Sequence, residues 1–189
     1  GTDNTEITMV ELYALNEYDL ENRQVKGGAE PMNLIRLGTT GGIQPEAIVD
    51  TLALTVYAIG FDSTALFYDT PLPDDDTAEY IEKDIRFFVE ETVSPTARFK
   101  GAIHPYVSKA DERVLGALAK NAKTDFVPGI TATLPSFFGA QGRELPGFRL
   151  TMPDLEDHLV EMRQGPHKVV NFEMEAACLL HLAQMMGYK

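Results

Sequence analysis

Apolar and polar positions along this chain repeat in two periods, and the period changes mark its elements. Helical spacing runs through "TEITMVELYALNEYDL". It predicts a helix to about Tyr18, capped by Asp3, Asn4 or Thr5. The polar, Gly-rich "ENRQVKGGAEP" reads as a surface connection. "MNLIRL" reads as a short buried strand, and "IVDTLALTVYAIGF" as one long strand or two. "DTPLPDDDTAEYIEKDIRFFVEETV" opens as an acidic loop and becomes an amphipathic helix. Its apolar side carries Tyr80, Ile81, Ile85, Phe88 and Val89. "KADERVLGALAKNA" predicts another helix, and "DFVPGITATL" a strand despite Pro128. "PDLEDHLVEMRQ" is a helix with an acidic first turn, and "HKVVNF" is a strand. "EMEAACLLHLAQMMG" is a helix that ends at Gly187.

Strands and helices alternate, so the expected class is α/β. A single layered domain over residues 1–189 should hold a central mixed, largely parallel sheet flanked by helices. Both ends look cut. The chain enters a helix with no strand before it, and closes on Gly-Tyr-Lys where a turn into another strand is expected. The expectation is a domain lacking its first strands and its last strand.

Composition narrows the classes of partner. The formal charge of −13 argues against nucleic acid, whose phosphate backbone needs a basic surface. No apolar run has the length of a membrane span and no signal peptide is visible, so no membrane partner is expected. Cys178 is the one cysteine, which excludes a disulfide framework and fits a reducing, cytoplasmic setting. Placed inside the apolar last helix, it reads as buried and inert. Asp74, Asp75 and Asp76 read as a solvated loop and helix N-terminus rather than a cation site. His104, His158, His167 and His181 have no metal-ligand spacing, and His181 reads as a packed or boundary residue. There is no G-x-S-x-G elbow, Walker loop or dinucleotide glycine pattern.

Three stretches carry candidate chemistry. In "NLIRLGTTGGIQ" an arginine, Arg36, interrupts an apolar run and is followed by a glycine-threonine turn. An anion at the strand end, held by Arg36 and the loop, would resolve both features. "SFFGAQGR" sets two aromatics before a turn that carries Gln141 and Arg143. Those groups suit a flat heterocycle with carbonyl and N–H edges, although a surface loop with a satisfied arginine has the same look. "NFEMEAA" starts a helix carrying Glu173 and Glu175. Residues two apart do not share a helix face, so the carboxylates should point differently. One could accept from a vicinal diol while the other braces the turn; both could equally be matching the helix N-terminus.

In this order, "IRLGTTGGIQ", "FFGAQGR" and "NFEMEAACLL" resemble the phosphate, uracil and ribose segments of the hexameric class of nucleoside phosphorylases, closest to the uridine phosphorylases. "GTDNTEITMVEL" is similar to the helix after that family's first core strands, so the likeness covers nearly the whole chain. The resemblance implies that Arg36 binds phosphate with Thr39, and that Thr39, Thr40 and Gly41 lie near base and ribose. It sets Phe137 beside the nucleoside and makes Gln141 and Arg143 the readers of the uracil edge. Phe172, Glu173, Met174 and Glu175 match the ribose segment, with Glu175 taking the sugar hydroxyls. Arg36, Gln141 and Arg143 are then the catalytic set. Phosphate is a co-substrate, no cofactor is expected, and the implied assembly is a homodimer that builds a homohexamer. The implied place in metabolism is pyrimidine salvage.

The sequence also departs from the family. It has no Gly-Asp-Pro-x-Arg phosphate loop, nor the histidine and arginine that members take from a neighbouring subunit in the same early region. Gly139-Ala140 stands where proline-glycine is usual. Competing readings are a purine nucleoside phosphorylase or a nucleosidase on the same fold, or a truncated, non-catalytic nucleoside or anion binder.

Overall fold

Alternating side chains sort the strand residues of this chain onto two faces of one sheet, in a computed structural model that describes residues 1–189. In chain order the elements are α1 (Thr2–Glu17), β1 (Tyr18–Asp19), β2 (Gln24–Val25), β3 (Gly41–Gly42), β4 (Leu52–Gly60) and α2 (Asp76–Thr92). Then come β5 (Tyr106–Lys109), α3 (Glu112–Asn121), β6 (Phe126–Thr133), α4 (Leu155–Glu161), β7 (Arg163–Gln164), β8 (His167–Glu173) and α5 (Ala176–Met186). The six-stranded sheet has the order β3-β8-β6-β4-β5, with β7 paired to β8 off that path. β4, β6 and β8 run parallel, while β3, β5 and β7 join antiparallel. This is the mixed α/β sheet that the alternation of elements predicts.

Tyr57 and Ile59 of β4 face one way, with Ile130 and Ala132 of β6, and pack against Ala78, Ile81, Ile85 and Val89 of α2 and Leu155 and Leu159 of α4. Ala58, between them, faces the other way and meets Ala176 and Ala177 of α5. Small residues on both partners let the helix approach the sheet closely. α1 then lies on α5 through Met9, Cys178, Leu182, Ala183 and Tyr188. Burial pushes the Cys178 thiol up to about 12, aided by the Asp62 and Glu6 carboxylates, so it stays protonated and inert near neutral pH. No helix is long and apolar enough to cross a membrane.

Several local expectations need correction. Residues 32–37 form no strand; Ile35 and Leu37 are exposed, and so the arginine does not sit inside a buried run. Backbone pairing there is confined to Lys189, which donates to the Met32 carbonyl and accepts from the Leu34 amide, and two bonds make no ladder. Ile35 and Leu37 instead line an apolar groove of about 700 Å³ with Leu52, Leu54, Leu118 and Phe126. "ENRQVKGGAEP" contains β2 of a small hairpin. None of Asp3, Asn4 or Thr5 caps α1, which begins at Gly1 without a side-chain cap. Tyr80 is exposed, because the buried stripe of α2 runs through Ala78, Ile81, Ile85 and Val89. Residues 106–108, where the sequence shows no periodic signal, form most of β5. It is too short to display a period.

The acidic patch resolves into one structural aspartate. Asp75 caps α2 by accepting from the Thr77 and Ala78 amides at 2.9 and 3.0 Å. It also accepts from Tyr57 Oη at 3.1 Å and pairs with Lys109 Nζ at 2.7 Å. Partial burial works to raise its pKa, but Lys109, the Ala78 amide and Tyr57 outweigh that and hold it at about 2. A carboxyl depressed in the fold stabilises above its unfolded pKa of about 4, and that contribution is lost as pH falls toward about 2. Asp75→Asn should therefore lower the melting temperature at pH 7 by roughly 5 °C, for a loss on the order of 2 kcal/mol. The gap to the unsubstituted protein should close between about pH 4 and pH 2. Thermal melts across that range check it; a gap that does not depend on pH would refute the charge assignment.

Candidate active site

Ligands of open α/β sheets bind beyond the carboxyl ends of parallel strands, and here β6 and β8 end side by side. Their last paired residues are Thr133 and Glu173. The chain leaving β8 turns sharply into α5, and two buried side chains make that turn possible. Glu173 Oε2 accepts from the Glu175 and Ala176 amides at 2.8 and 2.9 Å. Its Oε1 accepts from Thr133 Oγ1 at 2.6 Å. Thr133 Oγ1 in turn accepts from the Ala177 amide at 2.9 Å. The orphan N–H groups that open α5 are thus satisfied by a strand carboxylate and a strand hydroxyl. The helix begins only at Ala176, so Glu173 belongs to β8 and Glu175 to the turn.

The two carboxylates do not point differently, as helical spacing suggested. Both reach the Arg36 guanidinium: Nη2 lies 3.2 Å from Glu173 Oε2 and hydrogen-bonds Glu175 Oε2. Because the turn is not helical, the i, i+2 rule of helix faces does not govern it. Burial works to raise the Glu175 pKa, and the Arg36 guanidinium hydrogen-bonded to it works to lower it. Arg36 presents five N–H donors, and both carboxylates use the same nitrogen. Nε and Nη1 make no hydrogen bond within the chain.

The loop after Arg36 is pinned to the end of β8. Gly41 pairs with Phe172 and Gly42 with Asn171. A Cβ on Gly41 would stand 2.7 Å from the Phe172 ring, and one on Gly42 would stand 2.3 Å from the Ala47 carbonyl oxygen. Both contacts are too close for any side chain, which accounts for the glycine pair. The Thr40 hydroxyl donates to the Phe172 carbonyl at 2.7 Å and accepts from Asn171 Nδ2 at 2.6 Å. The Thr39 hydroxyl has no partner in the chain, and the residue is exposed.

Across the cleft, the 3-10 turn Gly139–Gln141 follows β6. Gln141 is only 4% exposed, yet its side-chain amide makes no hydrogen bond within the chain. Neither amide atom is fully buried, and these unused donors and acceptors border the cleft. Arg143 Cζ lies 4.1 Å from the centre of the Phe137 ring, and Nη1 donates to the Phe137 carbonyl at 2.6 Å. The guanidinium is thereby held over the ring of Phe137, a residue that is itself 56% exposed.

One cleft of about 520 Å³ is lined by Arg36, Gly38, Thr39, Thr40, Gly41, Phe137, Gln141, Arg143, Phe172, Glu173, Met174 and Glu175. Every residue singled out from the sequence borders it. Gly38 is the one lining residue that was not, and a Cβ there would press on the Arg36 guanidinium at 3.1 Å. Sequence reasoning also missed Thr133 and Asn171, which stand behind the cleft and hold its lining in place. The signal available for Asn171 was an asparagine inside a strand, where that residue is depleted.

The chain was compared with known proteins. The family model of the phosphorylase superfamily matches residues 1–189. A uridine phosphorylase of Thermococcus kodakarensis is 30% identical over 159 residues, which is 82% of this chain and 44% of that protein. Among solved structures, a Trypanosoma brucei nucleoside phosphorylase described as showing uridine phosphorylase activity superposes with a TM-score of 0.78. The identity is 29%, over 100% of this chain and 65% of that one. A uridine phosphorylase from Phytophthora capsici has a TM-score of 0.50 at 20% identity, over 98% of this chain and 57% of that one, and speaks to the fold alone. The chain therefore spans less than two thirds of the length of these relatives.

Proposed function

Because this chain belongs to the phosphorylase superfamily, we propose that its cleft carries out phosphorolysis of uridine, giving uracil and ribose 1-phosphate. The observation that carries the proposal is the pairing of opposite demands within one cleft: a guanidinium with unused donors beside two carboxylates, across from a side-chain amide with no partner in the chain. Phosphate would take the Nε and Nη1 donors of Arg36 with the Thr39 hydroxyl. Ribose hydroxyls would be accepted by Glu175, a carboxylate paired with the Arg36 guanidinium. Uracil would lie against Phe137, with Gln141 and Arg143 on its carbonyl and N–H edge.

In the reaction the C1′–N1 bond lengthens, the sugar becomes oxocarbenium-like, and a phosphate oxygen forms the new bond to C1′. The electron pair of the broken bond leaves on uracil. Arg143 and Gln141 gain strength as that charge grows, which is where an interaction accelerates the step. Arg36 holds the nucleophile next to C1′, a contribution of proximity and charge. Phosphate serves as co-substrate and no cofactor is called on. The proposal extends to a cytoplasmic enzyme of pyrimidine salvage, working as a homodimer within a homohexamer. Support for that assembly is family likeness alone.

The test is uracil release from uridine by the purified protein, with and without phosphate. Release that requires phosphate and yields ribose 1-phosphate is the expected result. Release without phosphate would replace the reading with a nucleosidase, and release of bases from purine nucleosides only would overturn the uracil assignment.

A further inference from the structure

We infer that Asn171, buried behind the cleft and touching no ligand position, is the positioning residue of the anion loop, acting through Thr40. The inference rests on the phosphate half of the proposed function. Its evidence is a line of hydrogen bonds that crosses four neighbouring elements of the fold. Thr55 Oγ1 of β4 lies 2.7 Å from Thr131 Oγ1 of β6. Thr131 donates to Asn171 Oδ1 of β8 at 3.0 Å. Asn171 Nδ2 donates to Thr40 Oγ1 at 2.6 Å, and Thr40 donates to the Phe172 carbonyl at 2.7 Å. Thr131 is fully buried and Asn171 is 3% exposed, so water cannot stand in for the two middle members, while Thr40 at the cleft end is exposed.

Proton counting fixes the direction of the line. Thr40 has one hydroxyl proton, and the Phe172 carbonyl, which cannot donate, takes it. The atom of Asn171 that faces Thr40 must then be its amide nitrogen, and the carboxamide oxygen faces Thr131. Thr131 gives its own proton to that oxygen, so Thr55 must donate to Thr131. Every donor points toward the loop, an arrangement in which each bond strengthens the next. Asparagine suits the middle position because one side of it accepts while the other donates. Aspartate offers two acceptors. It would draw the Thr40 proton away from the Phe172 carbonyl and release the loop.

The functional consequence lies in what the loop presents. With Thr40 held from behind, its neighbour Thr39 keeps an unpaired hydroxyl on the cleft side, and Gly38 stays against the Arg36 guanidinium. Loss of the line should loosen the anion site more than the uracil site, which is built on the separate turn after β6.

A double-mutant cycle tests this. Phosphate affinity is read from the phosphate-dependent rise in melting temperature for the unsubstituted protein, Asn171→Leu, Thr40→Val and the double variant. Phosphate and uridine KM and kcat are measured beside it. Asn171→Leu should weaken phosphate roughly tenfold, as loss of one hydrogen bond that holds the loop would. In the Thr40→Val background the same substitution should have less than about a twofold effect, and uridine KM should move less than phosphate KM in every variant. Thr131→Val, which removes a donor to Asn171, should reproduce the defect in milder form, while Thr131→Ser, which keeps the hydroxyl, should bind phosphate like the unsubstituted protein. This pair keeps the test decisive if Asn171→Leu does not fold. Equal effects in both backgrounds, or unchanged phosphate affinity, would overturn the positioning role while leaving phosphate-dependent uridine cleavage by the unsubstituted protein intact. A protein that neither binds phosphate nor cleaves uridine would overturn both.

Discussion

Arg36→Ala should lower kcat/KM for phosphorolysis by about 10²- to 10³-fold, the loss typical of removing one preorganised donor to a charged reacting group. Two effects combine. The nucleophile loses the planar donor fork that holds it beside C1′. The substitution also leaves Glu173 and Glu175 side by side without their shared cation, and that pair repels an incoming phosphate. Arg36→Lys separates the two effects. A lysine restores a positive charge near the carboxylates but offers a point charge rather than a fork, so it should recover part of the rate and little of the phosphate affinity. Steady-state kinetics with phosphate as the varied substrate is the measurement. An Arg36→Ala protein with the same phosphate KM and kcat would show that the anion, if one is used, binds elsewhere.

The unexpected pairing of Arg36 marks the boundary of what sequence could reveal. The arginine and its glycine-threonine turn stood out in the sequence because a charge in an apolar run needs a partner. The partner was visible too, in "NFEMEAA", but its geometry was read from the rules of a helix that begins only at Ala176. Strong local signals survived intact. Gly187 ends α5 in the left-handed conformation, and the acidic patch stands at the N-terminus of α2, with Asp75 as its cap. Pro128 is tolerated in β6 because β8 joins that strand only from Ile130 onward, so the proline has one sheet neighbour. What failed was anything set by a distant partner. "MNLIRL" has strand composition but no ladder to enter, and β5 is a short edge strand. Thr131 and Thr133 look like ordinary strand positions until the register sets them opposite Asn171 and Glu173. Their function is to hold other residues, and nothing in composition distinguishes a holding residue from a filling one.

Glu173 and Glu175 should separate cleanly when tested, although they lie two apart and share one arginine. Glu173 is 6% exposed and takes bonds from two amides, a hydroxyl and the guanidinium. Glu173→Ala leaves those donors buried without an acceptor. The expected cost is about 3–5 kcal/mol, the range for breaking a buried charged network from one side. That corresponds to a fall of roughly 10 °C or more in melting temperature for a chain of this size. Glu173→Gln keeps the shape but turns one carboxylate oxygen into a donor that faces other donors, so it should sit between the two. Glu175 is half-buried at the mouth of the turn, and its side chain bonds the Arg36 guanidinium rather than the backbone of the turn. Glu175→Gln should change the melting temperature by no more than a few degrees while cutting turnover of ribosides sharply, because the amide replaces one acceptor with a donor and removes the charge that the ribose hydroxyls bind. Melting temperature and kcat/KM measured on the same three proteins decide the matter. If Glu173→Ala melts like the unsubstituted protein and is inactive, the brace assigned to Glu173 is wrong and that carboxylate contacts substrate directly. If Glu175→Gln unfolds early, its role is structural, and the ribose hydroxyls must be bound by another group in the cleft.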